Sequence, residues 1–74
     1  MTALLAIEFE PEANTSVALH ALRNSGAVIT SLDVTTNDAV ASVEVGNREV
    51  LNAAVEAVRK CSGVRSGVAF PSEA

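Results

Sequence analysis

Apolar and polar residues alternate at the start of the chain and then change to a helical period. The odd positions of residues 3–9 are all apolar, which predicts a strand that buries one face. Pro11 ends this strand because a residue without an N–H cannot continue the ladder of a central strand. Residues 14–16 offer side-chain oxygens as N-caps, so a first helix is predicted over residues 15–25.

Strand-like alternation returns after Gly26. Residues 27–36 are rich in β-branched side chains and predict a second strand. The apolar side chains expected on one side of this strand are Val28, Leu32 and Val34. Residues 39–45 alternate again after a turn pair at residues 37–38, so these two strands are expected to form an antiparallel hairpin.

A second helix and a last strand complete the pattern. Asn47 is a candidate N-cap for a helix whose apolar stripe extends over residues 50–61, and Gly63 ends that helix. Residues 64–70 predict the final strand, followed by residues 71–74, which are expected to be a flexible tail beginning with a proline. The apolar side chains expected to share one side of this strand are Val64, Val68 and Phe70.

The resulting order, β-α-β-β-α-β, predicts a single α+β domain over residues 1–74. Right-handed crossovers close it into a ferredoxin-like sandwich: a four-stranded antiparallel sheet with two helices on one face and the first and third strands in the middle. The face without helices is expected to be apolar at Leu4, Ala6, Ile29, Val40, Gly67 and Ala69. A monomer rarely exposes so many apolar residues together, so we expect a homodimer that buries this face or pairs edge strands.

Charge and composition exclude several classes of function. A net charge of -4 repels a phosphate backbone, so nucleic acid is not an expected partner. One Cys and one His cannot fill a four-ligand zinc site, and neither a metal nor another cofactor is expected. The first residues lack the basic region of a signal peptide, and no apolar run reaches the roughly 20 residues that span a bilayer, so we expect a cytoplasmic protein without membrane contact.

Two segments resemble those of ACT domains. Gly-Ala-Val-Ile-Thr-Ser-Leu at residues 26–32 is similar to the glycine-then-apolar second strand of that family. Residues 56–66, Glu-Ala-Val-Arg-Lys-Cys-Ser-Gly-Val-Arg-Ser, resemble its second helix followed by a Gly-Val last strand. The resemblance implies a non-enzymatic regulatory module that forms a homodimer, binds an amino-acid effector at the subunit interface and acts on a metabolic enzyme.

The loop before the first helix departs from the family pattern. Amino-acid-binding ACT domains carry an Asp followed by Pro-Gly there, and these places fall on Glu10 and Ala13. Alanine at a position that requires a positive φ costs about 1 kcal/mol, so the loop is expected to be rebuilt or not to bind in the family's way. The family's Asn on the second strand falls at Val28. The candidate ligand-binding residues are therefore Glu10, Glu12, Ala13, Asn14, Thr15, Ser16 and Val28.

Two other interpretations follow from the residues. His20 and Cys61 stand alone, so an exposed histidine and a packing cysteine are expected and no catalytic residue is predicted. The alternative function is a structural assembly subunit, because microcompartment shell proteins also place an Ala-rich helix, here residues 52–57, before a last strand that ends near a proline. Light scattering separates the two, since a shell subunit forms hexamers or sheets.

Overall fold

Residues 1–72 are described by a computed structural model with four strands and two helices. In chain order the elements are β1 (Thr2–Phe9), α1 (Thr15–Asn24), β2 (Val28–Val34), β3 (Asp38–Glu44), α2 (Arg48–Arg59) and β4 (Val64–Ser72). The strands form one antiparallel sheet in the order β2-β3-β1-β4, with β1 and β3 in the middle. The predicted ferredoxin-like sandwich is therefore confirmed.

Both helices begin where the sequence places their caps. The side-chain oxygen of Asn14 accepts a hydrogen bond from the Ser16 N–H, and that of Asn47 accepts one from the Val50 N–H at 2.9 Å. Each cap satisfies a backbone donor that the first turn of a helix leaves without an intrahelical partner. These two asparagines therefore define where α1 and α2 start.

The core lies between the helices and the inner face of the sheet. The odd positions of β1 are no more than 3% exposed, and Leu22 of α1 and Leu51 of α2 pack into the same cluster. Burying one large aliphatic side chain contributes about 1.5–3 kcal/mol, so this layer supplies most of the stability of a small domain. We call the sheet face under the helices the inner face and the opposite one the outer face.

A bulge in β2 changes the register that simple alternation predicts. The pairing with β3 shifts between Ile29 and Ser31, and the Thr30 hydroxyl donates a hydrogen bond to the Ser42 carbonyl at 3.0 Å. Ile29 consequently packs against the core on the inner face, so its predicted place on the outer face is wrong. Val28 pairs with Glu44 and falls on the outer face, so it does not share a side with Leu32 and Val34.

In β4 the inward-facing and outward-facing residues are also the reverse of those predicted. Gly67 and Ala69 pair with Ile7 and Leu5 and lie on the inner face, so their predicted outward position is wrong. The reason is the register with β1, which places these residues opposite buried positions. Packing there is close, since a Cβ at Gly67 would lie 3.2 Å from Cγ of Arg59 in α2.

Val68 and Phe70 occupy the outer face instead, paired with Ala6 and Leu4. A register shift between Glu8 and Phe9 places Val64 on the inner face, apart from these two residues. Pro71 continues β4 opposite Ala3 and does not end it, because an edge strand tolerates a missing N–H. Of the expected tail, residues 71–72 thus lie in β4, and residues 73–74 lie outside the described residues.

Candidate functional site

The loop between β1 and α1 is a tight turn held against the start of β4. The Glu10 N–H donates to the Gly63 carbonyl at 2.7 Å, and the Ala13 N–H donates back to the Glu10 carbonyl at 3.1 Å. Glu12 adopts a φ of 67°, in the left-handed region that glycine normally occupies. The loop therefore keeps a left-handed residue, although no glycine is present in it.

The strained residue is not the one that the family pattern implies. That pattern places the positive φ at Ala13, whereas within residues 1–72 Glu12 is the non-glycine residue with a positive φ. The positive φ therefore falls one residue before the place that the family pattern implies. Ala13 instead packs on Gly63, where an added Cβ would lie 2.7 Å from the Ala13 Cβ, so the loop and the turn before β4 fit together only with glycine at residue 63.

The polar residues after the turn serve the N-terminus of α1. Oδ1 of Asn14 accepts hydrogen bonds from both the N–H and the Oγ of Ser16, at 3.1 and 2.6 Å. The Asn14 carbonyl accepts from the Val17 N–H at 3.3 Å. Because these contacts use donors of the first turn, a ligand at this helix end would interact with the remaining loop groups and the helix dipole.

One charged partner of the loop escaped the sequence analysis. Arg65 of β4 places its Nε 3.8 Å from Oε1 of Glu10, and both side chains are more than half exposed. Such a surface pair contributes roughly 0.2–1 kcal/mol, so it positions the Glu10 carboxylate more than it stabilises the fold. The backbone hydrogen bond from Glu10 to Gly63 brings the start of β4, and with it Arg65, next to the loop. No local pattern in the sequence marks this contact.

Val28 lies at the other end of the sheet from the remaining candidate residues. It pairs with Glu44, which in turn pairs with Thr2, whereas the loop follows Phe9. Seven residues of strand separate the two ends by about 23 Å. Within one protomer the structure therefore gathers Glu10, Glu12, Ala13, Asn14, Thr15 and Ser16, but it does not bring Val28 to them.

The isolated histidine and cysteine belong to different segments of the fold. His20 is exposed on α1, and Cys61 follows α2, partly buried, with its Sγ 3.3 Å from the Ala57 carbonyl oxygen. Among residues 1–72, no three His, Cys, Asp or Glu side chains gather as a metal site would require. Neither helix in that range is long and apolar enough to cross a membrane.

A second surface lies on the outer face of the sheet. Two rows of side chains cross β3, β1 and β4 there: Val40, Ala6 and Val68 in one row, and Ser42, Leu4 and Phe70 in the next. We call its apolar members the outer-face patch: Leu4, Ala6, Val40, Val68 and Phe70. Its four large side chains are between 43% and 57% exposed, so the register correction makes this face more apolar than the sequence predicted.

Comparison with known proteins identifies the fold. The crystal structure of the ACT domain from GTP pyrophosphokinase of Chlorobium tepidum is similar to this chain with a TM-score of 0.77. The similarity covers 95% of this chain and 97% of that one, at 18% sequence identity. The chain has the fold of an ACT domain. No family model matches the sequence, and a search of curated proteins finds no match either.

The ACT-like interpretation of residues 26–32 and 56–66 is thus confirmed at the level of the fold. Both segments lie where the resemblance implied, the first entering β2 and the second covering the end of α2 and the start of β4. At this level of identity the similarity concerns the course of the backbone. The chemistry of the loop depends on this chain's own residues.

Proposed function

We propose that this chain is a non-enzymatic regulatory module of the ACT type, which senses an amino-acid effector and acts on a metabolic enzyme. The observation that carries the proposal is the ACT fold over nearly the whole chain. The similar domain belongs to a GTP pyrophosphokinase, which supports a role beside an enzyme. The lone histidine and the scattered carboxylates also fit a module that binds rather than reacts.

The effector site we propose is the loop from Glu10 to Ser16. A free amino acid carries a carboxylate and an ammonium group, and the loop faces it with complementary features. The α1 N-terminus favours the carboxylate, while Glu10 and Glu12 are exposed carboxylates that suit the ammonium group. The left-handed turn at Glu12 lies between Glu10 and the α1 N-terminus, so the groups for the ammonium and for the carboxylate belong to one short segment.

We further propose that two copies pair through β2. This strand is an edge of the sheet, and its large apolar side chains Leu32 and Val34 are 40% and 47% exposed although they belong to the inner face. A second β2 would satisfy the unpaired backbone groups of the edge and cover both side chains. This pairing would give a continuous eight-stranded sheet.

Pairing through β2 also accounts for the position of Val28. A two-fold axis makes the two β2 strands antiparallel, so the first residue of one strand lies beside the last residues of the other. Val28 of each protomer would then reach the sheet end that carries the loop of its partner. The candidate residues that are far apart in one chain would come to the same end in the dimer.

A thermal-shift screen of the standard amino acids at millimolar concentration tests the effector. A ligand that binds only the folded state raises the melting temperature, and a Kd a hundredfold below its concentration corresponds to about 2.7 kcal/mol. We expect one class of amino acid to raise it. If none does, the effector part of the proposal is wrong.

Glu12→Gly locates the site within that screen. Glycine removes the carboxylate and accepts the φ of 67°, so the free protein should keep its stability or gain up to about 1 kcal/mol while the ligand-dependent shift is lost. Glu49→Gln, which removes a carboxylate from the exposed start of α2, is the matched control and should keep the shift. A shift that survives Glu12→Gly would exclude the loop as the site.

Sedimentation equilibrium tests the dimer. Val34→Lys places a charge on the edge strand and should convert a dimer into a monomer. Phe70→Ser removes a comparable exposed apolar side chain from the outer face and should leave the dimer intact. A wild-type chain that is monomeric at high micromolar concentration, or a dimer that only Phe70→Ser dissociates, would contradict pairing through β2.

A further inference from the structure

The outer-face patch has no role in the effector site or in the β2 pairing. It lies on β3, β1 and β4, on the side of the sheet away from both helices. Monomeric proteins seldom keep several large apolar side chains together in water unless they bind something. The patch is therefore a candidate binding surface.

The shape of the patch is a groove with a small residue at its floor. Ala6 lies between Val40 and Val68 in one row, and its short side chain leaves an open depression of about 300 Å³. Phe70 forms one wall, and Glu8 and Asp38 line the groove at one end. An apolar side chain fits the floor, and a cation would suit that end.

The acidic end is an unfavourable arrangement in the isolated chain. Glu8 and Asp38 face each other directly on β1 and β3, and like charges opposite one another destabilise a sheet. Neither carboxylate forms an ion pair within residues 1–72. A basic group supplied from outside would remove this repulsion.

The chain's own basic residues are directed elsewhere. They are Arg23, Arg48, Arg59, Lys60 and Arg65. Arg23 belongs to α1, the next three belong to α2 and its cap, and Arg65 pairs with Glu10 at the end of the sheet. A second copy stacked on this face would bring its own Glu8 and Asp38 and no cation to match them.

The size of the patch also favours a small occupant. Its two rows cross three strands, which gives about 10 Å by about 7 Å at ordinary strand spacing. A stable dimer interface needs roughly 800 Å² from each partner, more than five side chains on this area expose. One α-helix, about 10 Å across, matches the width of the groove.

We propose that the outer-face patch binds a short amphipathic helix of a partner protein. The apolar side of that helix packs on Val68 and Phe70 and fills the groove above Ala6, while its Lys or Arg side chains reach Glu8 and Asp38. Their aliphatic stems lie along the apolar walls, and their charged ends meet the carboxylates. Binding at this surface depends neither on an amino acid in the loop nor on pairing through β2. It therefore goes beyond the proposed function.

The probe for this surface is a synthetic amphipathic helix of about four turns built only from leucine and lysine. Added to the ¹⁵N-labelled full chain, it should shift the amide resonances of Ala6, Val40, Val68 and Phe70 and leave those of the loop unchanged. A peptide with glutamate in place of lysine has the same apolar stripe and should bind at least about tenfold more weakly. Equal binding of the two peptides would overturn the proposal.

Two double variants that remove the same number of carboxylates at different places distinguish binding at this site from a general attraction of the basic peptide to an acidic protein. Glu8→Gln combined with Asp38→Asn should weaken peptide binding about 3- to 10-fold, as expected for two surface pairs. Glu49→Gln combined with Glu56→Gln removes the same charge from α2, and the Kd should change less than about twofold. If both double variants weaken binding equally, the attraction is nonspecific and the proposal fails.

Self-association is the remaining outcome, and it is distinguishable. If Phe70→Ser dissociates a wild-type dimer, a second copy occupies the face and the proposed helix does not. If Phe70→Ser leaves the oligomeric state unchanged but weakens peptide binding by more than about tenfold, the helix assignment stands. Failure of the amino-acid screen would affect neither result.

Discussion

The two faces of the central strand β1 show how similar side chains acquire different roles. Leu5 on the inner face is 1% exposed, whereas its neighbour Leu4 on the outer face is 48% exposed. Both are leucines in the same strand, with the same local backbone. The difference arises because α1 and α2 cover one side of the sheet and nothing within residues 1–72 covers the other.

This comparison separates stability from recognition. Apolar residues of the inner face contribute to the free energy of folding because they leave water when the helices pack. Those of the outer face remain in water, so their burial energy is still available for a partner. Variants that are matched across the sheet test this division directly.

The largest expected difference is between Leu5→Ala and Leu4→Ala. Truncating the buried leucine leaves a cavity and should lower the free energy of unfolding by about 2–5 kcal/mol. The same truncation on the outer face should cost less than about 1 kcal/mol. Urea denaturation followed by circular dichroism measures both, and similar losses would mean that the outer face is buried in the folded protein.

Substitutions that add volume should also distinguish the two faces, because a larger side chain should cost more stability on the buried inner face than on the open outer face. Ala54 of α2 is fully buried, so Ala54→Leu overpacks the core and should cost about 1–3 kcal/mol. Ala6→Leu fills the open groove, so its cost should be below about 0.5 kcal/mol while it weakens binding of the leucine–lysine helix. Thermal denaturation and the amide titration give the two readouts; unchanged peptide binding by Ala6→Leu would count against the groove.

Leu4→Glu tests whether the outer face holds two copies together. A charge at this exposed position should change stability by less than about 1 kcal/mol and leave a β2-paired dimer intact. A stacked dimer would split or lose stability, because each sheet would bury a new carboxylate. Sedimentation equilibrium of wild type and variant, at matched concentration, decides between these arrangements.

The smallest expected effect is a gain in the free energy of unfolding. Replacing Asp38 by Asn removes the repulsion with Glu8 and should stabilise the chain by about 0.2–1 kcal/mol at low ionic strength. Salt screens exposed charges, so the gain should shrink as sodium chloride is added. Asp33→Asn is the control, because Asp33 lies opposite Val40 on the neighbouring strand and not opposite a second carboxylate. A salt-independent gain at residue 38 would point to a cause other than repulsion.

Much of the molecule was predictable because local rules control it. The alternation of β1 correctly predicts which of its residues face the core and which face outward. Asn14 and Asn47 mark the helix starts, because their caps involve only neighbouring residues. The order of the elements then limits the topology through right-handed crossovers. The candidate loop was located in the same way, between the end of β1 and the first cap.

The register of the edge strands was not predictable from alternation. In β2, a single extra residue at Thr30 moves the preceding residues, Val28 and Ile29, to the opposite faces of the sheet. In β4, the register shift at Phe9 places Val64 and Val68 on different faces. Nothing in a pattern of period two marks such a bulge. Likewise, only the observed pairing of β4 with β1 places Val68 and Phe70 on the outer face, where they supply two of the four large exposed side chains of the outer-face patch.

The sequence by itself determined the elements, their order and the inner face of the central strand, since these depend on residues that are neighbours along the chain. Only the tertiary structure decided which edge residues face outward, where the left-handed residue of the loop falls and which carboxylates oppose each other. Glu12 has the positive φ in a loop whose residues on either side of it, Glu10 and Ala13, both contact Gly63 from a distant part of the chain. Contacts between distant segments set these features, and a local pattern contains no record of them.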